Sequence, residues 1–78
     1  MEAKQLFEEL GYEQEVGYKY IDYAKFHKEV NQYGYVLFDL EKKTVLPTME
    51  YGSTYAVEID VNLLKAINKQ VEELGWNE

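Results

Sequence analysis

The chain predicts an α+β fold: an antiparallel three- to four-stranded sheet with N- and C-terminal helices packed on one face, in αβββα order. Three observations carry that expectation. Apolar residues recur at helical spacing at both ends of the chain, and the middle alternates with strand period. Both helix-like ends also close on the same stop, Glu8-Glu9-Leu10-Gly11-Tyr12 and Glu72-Glu73-Leu74-Gly75-Trp76. With 78 residues, the chain is expected to form a single domain, 1–78.

The first element spans Met1 to Leu10. Ala3, Leu6, Phe7 and Leu10 form one apolar stripe, with Glu2, Lys4, Gln5, Glu8 and Glu9 off it. Gly11 ends the helix. Placed at C′, it makes Tyr12 the C″ residue and Phe7 the C3 residue, the two side chains that touch across a Schellman cap. Val16 to Tyr23 reads as the first strand, since Tyr18, Tyr20, Ile21 and Tyr23 cluster there. Both of its alternating sets carry apolar residues, which leaves its register open. Residues 23–32 fit strand, helical turn or loop.

Gly34, Val36, Phe38 and Leu40 alternate with Tyr33, Tyr35, Leu37 and Asp39, the pattern of a half-buried strand. Glu41-Lys42-Lys43 is a polar turn, and Thr44-Val45-Leu46 returns as the second arm of a hairpin. Pro47 cannot donate to a ladder, so it marks an edge, a bulge or a strand end. Tyr51-Gly52-Ser53 is a turn, and Tyr55 to Glu58 is the candidate fourth strand. Asp60 is the expected N-cap of the last helix. Its stripe is Leu64, Ile67, Val71 and Leu74, with Leu63 and Ala66 beside it. Lys69 and Glu73 form an i, i+4 pair on the outer face. Gly75 ends this helix, and Trp76 folds back on Val71. The repeated stop is shared cap chemistry, too short to mark an internal duplication.

Composition removes several functional classes. The chain carries 15 acidic residues against 8 Lys and no Arg, a net charge of −7. That balance argues against a phosphate-binding surface, and hence against nucleic acid as a partner. There is no Cys, so neither a disulfide framework nor a thiolate metal site forms. No apolar run reaches the roughly 20 residues of a membrane span. The acidic, amphipathic start is not that of a signal peptide, so a cytoplasmic location and no membrane partner are expected.

Catalytic chemistry finds little support. His27 is the single histidine, and His27-Lys28-Glu29 is not a ligand spacing, so it reads as a surface residue. Ser53 and the threonines have no base beside them in sequence. Adjacent carboxylates such as Glu8-Glu9 and Glu72-Glu73 diverge by about 100° on a helix and make no dyad. No glycine pattern cradles a phosphate. The expectation is a non-enzymatic chain with no catalytic residues, no metal and no cofactor.

Two surfaces stand out instead. Eight tyrosines are present, most of them in the strand region. If Val36 and Phe38 face the helices, Tyr33, Tyr35 and Leu37 face away from them, and Tyr18 and Tyr20 extend the same set. Tyr18, Tyr20, Tyr33, Tyr35 and Leu37 are therefore the candidate interaction surface, because Tyr supplies large contact area at low entropy cost. The same tyrosines also satisfy strand propensity alone, with ring half buried and hydroxyl wet. The second surface is acidic: Glu2, Glu8, Glu9, Glu13 and Glu15 oppose Lys4 alone. By this count the charge gathers at the two helical ends and leaves the sheet near neutral.

The overall pattern resembles small uncharacterised phage and prophage proteins of Gram-positive bacteria. The residues that carry the likeness are Leu6 to Tyr12, Phe38 to Val45 and Leu64 to Trp76, while Gly17 to Gln32 match least. The resemblance implies a phage-related, cytoplasmic setting and a two-helix α+β fold, and it transfers no functional residues. The expected role is a protein–protein interaction module whose partner is another protein or a second copy of the chain, as a homodimer. The alternative is an acidic inhibitor or nucleic-acid mimic that acts on a host nucleic-acid enzyme.

Overall fold

The structure is a computed structural model and describes residues 1–77. Its elements are α1 (Ala3–Glu9), β1 (Glu13–Gly17), β2 (Tyr20–His27), β3 (Gln32–Asp39), β4 (Thr44–Met49) and α2 (Val61–Glu73). The four strands form one antiparallel meander in the order β1-β2-β3-β4. The α+β arrangement of helix, sheet and helix holds, with four strands.

Both helices end as their sequences dictate. Tyr12 N donates to Phe7 O at 3.0 Å and Gly11 N to Glu8 O at 3.0 Å; Trp76 N donates to Val71 O at 3.1 Å and Gly75 N to Glu72 O at 3.0 Å. These are the paired bonds of a Schellman motif. Gly11 at φ 93° and Gly75 at φ 74° supply the left-handed turn that a side chain would penalise. The Phe7 and Tyr12 rings then meet edge to face, 5.7 Å apart. Asp60 caps α2 by accepting from Leu63 N at 2.8 Å.

The core lies between the helices and one sheet face. Phe7, Tyr12, Tyr23, Val36, Phe38, Leu63, Ala66 and Ile67 form its buried cluster. Tyr23 stacks on Phe7 at 3.7 Å and meets Phe38 edge-on at 5.9 Å. Each such ring stabilises the fold by about 1.5–3 kcal/mol through burial. The buried Tyr23 hydroxyl accepts from Gln14 Nε2 and donates to Gln70 Oε1, which ties β1, β2 and α2 together. Burial pushes its pKa up, and the protonated phenol is the form that donates.

Four local expectations change, and one stretch left open is assigned. The strand read over Val16 to Tyr23 is two strands, because Tyr18 and Lys19 turn the chain between β1 and β2. Lys19 takes φ 67°, a left-handed conformation that carries no sequence signal at a lysine. The fourth strand is therefore β1, and Tyr55 to Glu58 joins no ladder. Residues 23–27 continue β2, and a turn follows that closes at Asn31, φ 55°. On α2 the buried residues are Leu63, Ala66, Ile67 and Gln70, whereas Leu64 is 47% exposed. The stripe is rotated toward Gln70, whose Oε1 accepts from the buried Tyr23 hydroxyl. Lys69 pairs with Glu72 at 3.3 Å, not with Glu73. Glu73 instead accepts from Ala3 N at 2.8 Å and satisfies the start of α1.

Candidate functional site

Strand alternation sorts the sheet into two faces. The registers Ile21↔Phe38, Tyr23↔Val36 and Val36↔Pro47 belong to the face under the helices. The intervening pairs Tyr20↔Asp39, Asp22↔Leu37, Ala24↔Tyr35 and Phe26↔Tyr33 belong to the other face, which no described element covers. Pro47 lies within β4, at the edge of the sheet.

The open face brings four of the five candidate residues together. Tyr33 and Tyr35 stack at 6.3 Å, and Phe26 meets Tyr33 edge-on at 5.2 Å. Leu37 sits opposite Leu46 on β4, which continues the apolar row. Phe26 is 41% exposed, Tyr33 44% and Leu46 55%. Phe26 and Leu46 were missed by sequence reasoning, although counting by twos outward from Tyr20 along β2 would have found Phe26. Tyr18, the fifth candidate, stands in the β1–β2 turn and is 86% exposed. With Lys19, Tyr20, Leu37, Asp39 and Glu41 it lines a shallow concavity of about 460 Å³ at one end of the face.

Tyr20 lies flat because Gly17 has no side chain. A Cβ at Gly17 would stand 2.0 Å from the Tyr20 ring. So placed, the Tyr20 hydroxyl donates to Glu15 Oε1 at 3.1 Å. That bond, then the Glu15 charge, raises the phenol's pKa.

The face is also acidic, which corrects the assignment of charge to the helical ends. Glu13 and Glu15 lie on β1 and project here with Asp22 and Asp39. Lys25 is the only strand lysine, and it lies opposite Gly34 on the helix side. Asp39 Oδ1 is occupied by the backbone N–H groups of Glu41 and Lys42 at 3.0 and 2.9 Å. Asp22 is different. It pairs in register with Glu15, a like charge directly opposite, and its Oδ1 is occluded with no hydrogen-bond partner. Burial, then Glu15, raises its pKa. Such a cross-strand pair destabilises the free chain.

A cleft of about 360 Å³ opens on the other side of the sheet, beyond the ends of the helices. Its walls include Lys25 and His27 from β2 and Glu58 and Asp60 from the segment leading into α2. His27 is not a surface residue: its side chain is 18% exposed. Its Nδ1 lies 3.3 Å from Glu29 Oε1, while Nε2 is occluded and unpartnered. Lys25 Nζ rests 5.6 Å from the centre of the Tyr12 ring. Burial, then the Asp60 charge, raises the Tyr12 pKa. Among the described residues no three His, Asp or Glu side chains are grouped so as to hold a metal ion. No described helix is long and apolar enough to cross a membrane.

No family model, curated protein or solved structure matches the chain.

Proposed function

We propose that the protein is a non-enzymatic docking module whose open sheet face receives a basic protein surface, one that sets Arg or Lys among apolar side chains. The carrying observation is the combination on that face of the Phe26-Tyr33-Tyr35-Leu37-Leu46 row with Glu13, Glu15 and Asp22, and with no strand lysine. Aromatic faces attract cations, and a guanidinium between Glu15 and Asp22 would relieve the like-charge contact. Charge complementarity favours this partner over a second copy, which would set these carboxylates against their own kind. A nucleic-acid enzyme presents a surface of this kind, and the phage-related setting implied by the sequence resemblance belongs to the same proposal.

The test uses an alternating Arg-Leu peptide and its Glu-Leu counterpart in titration calorimetry. The Arg-Leu peptide should bind, weaken with salt, and lose binding to the chain carrying Tyr33→Ser with Tyr35→Ser. Equal binding of the Glu-Leu peptide, or unchanged binding to the double variant, would overturn the proposal. Light scattering should show the free chain as a monomer; a dimer abolished by the double variant would assign the face to self-association instead.

A further inference from the structure

The cleft on the helix side is distinct from the docking face in position and in chemistry. The helices stop short of the sheet end formed by Lys25, His27, Gly34 and Met49, and the segment from Tyr55 to Asp60 closes one wall. Gly34 lets His27 and Met49 settle against the sheet: a Cβ there would lie 2.7 Å from His27 Nε2 and 3.1 Å from Met49 Sδ. The imidazole lies across that glycine, held on its other side by Glu29.

Charge of both signs lines the cleft. Lys25, on the sheet, offers an ammonium that rests on the Tyr12 ring face and acts on the nearby Glu29 carboxylate. Glu58 and Asp60, on the segment leading into α2, add carboxylates, of which Asp60 uses one oxygen to cap α2. Leu10, Met49 and Leu63 supply apolar surface between them. A phosphate-bearing ligand would meet the carboxylates, a simple organic cation would meet Lys25, and a hydrocarbon would leave both signs without a partner. The volume, about 360 Å³, is at the small end of ligand sites and suits a molecule of amino-acid size.

We propose that this cleft binds a free amino acid with an aliphatic side chain, its carboxylate on Lys25, its ammonium on Glu58 and Asp60, and its side chain on Met49 and Leu63. A zwitterion with an apolar side chain answers both signs of charge and the apolar lining together. The site is independent of the docking face, so either can fail alone.

The experiment is an amide chemical-shift titration of the full chain with L-leucine, with 4-methylpentanoate, which lacks the amine, and with 3-methylbutylamine, which lacks the carboxylate. Leucine should move the amides of Lys25, Gly34, Met49 and Leu63 at millimolar concentration and leave Leu37 and Leu46 on the open face unmoved. Each single-charge analogue should bind roughly tenfold weaker or worse, the loss of one ionic contact. Lys25→Met should weaken leucine by a similar factor while preserving the spectrum of the folded chain. The proposal is overturned if leucine moves none of these amides, if either analogue matches it, or if Lys25→Met binds as well. If Lys25→Met disturbs the fold, Glu58→Gln, at an exposed position outside any element, decides the point by the same criterion.

Discussion

The two faces of one sheet are built to opposite specifications. Under the helices, Tyr23, Val36 and Phe38 are fully buried, and the Tyr23 hydroxyl has partners on both sides. On the open face, Phe26, Tyr33 and Leu46 keep much of their surface in water, and Asp22 faces Glu15 with an occluded oxygen left unpaired. The same strands carry both sets, so composition and strand propensity do not explain the difference. The covered face holds the fold, while the open face keeps features that cost stability in the free chain. The proposed docking of a basic partner would give these features a use.

The largest effect that separates the faces is expected from truncation. Phe7→Ala should cost about 3–5 kcal/mol, against roughly 4–12 kcal/mol of total stability for a chain of this length. Urea unfolding should show a midpoint lowered by a quarter or more, or no folded baseline at all, whereas the Tyr33→Ser, Tyr35→Ser double variant should keep its midpoint nearly unchanged. Equal losses would erase the distinction. Next comes the buried hydroxyl. Tyr23→Phe should cost about 1–2 kcal/mol because it strands Gln70 and Gln14, while Tyr35→Phe should be near neutral.

A third test changes sign. Asp22→Asn should stabilise the free chain by about 0.2–1 kcal/mol at neutral pH, since it removes a like-charge cross-strand pair. Its pH dependence follows from the raised pKa of Asp22. The folded chain holds that proton more tightly than the unfolded chain. The contribution is therefore fully present below the ordinary value of 3.8 and is lost as pH rises through the raised one. The advantage of Asp22→Asn over the wild type should accordingly grow as pH rises across that window, read by thermal unfolding in a pH series. A constant difference would show that neither burial nor Glu15 raises the Asp22 pKa in the folded chain. The smallest effect belongs to the exposed Lys19–Glu41 pair at 2.6 Å, where Lys19→Ala should change stability by about 0–1 kcal/mol.

The covered half of the molecule was legible because its signals are local and redundant. Gly11 and Gly75 marked both helix ends, Asp60 marked the start of α2, and the alternation from Tyr33 to Leu40 placed Val36 and Phe38 inward. What escaped depended on contacts made elsewhere in the chain. The turn at Tyr18 and Lys19 has no glycine at its left-handed position, so two strands read as one. Gln70 is polar in sequence yet buried, because its partner is Tyr23 on the sheet. The acidity of the open face was hidden for a related reason: Glu13 and Glu15 follow the first helix closely and count with it until β1 places them beside Asp22. The tyrosine set was readable as a face, but Phe26 and Leu46 joined it only once the registers of β2 and β4 were known.

The most direct test of the central claim is amide chemical-shift mapping of the chain titrated with the Arg-Leu peptide. The account predicts shifts at Glu15, Asp22, Phe26, Tyr33, Tyr35 and Leu37 that fade with added salt and with Glu15→Gln and Asp22→Asn together. Shifts confined to α1, α2 or the Lys25 cleft, or no shifts on the open face, would contradict it.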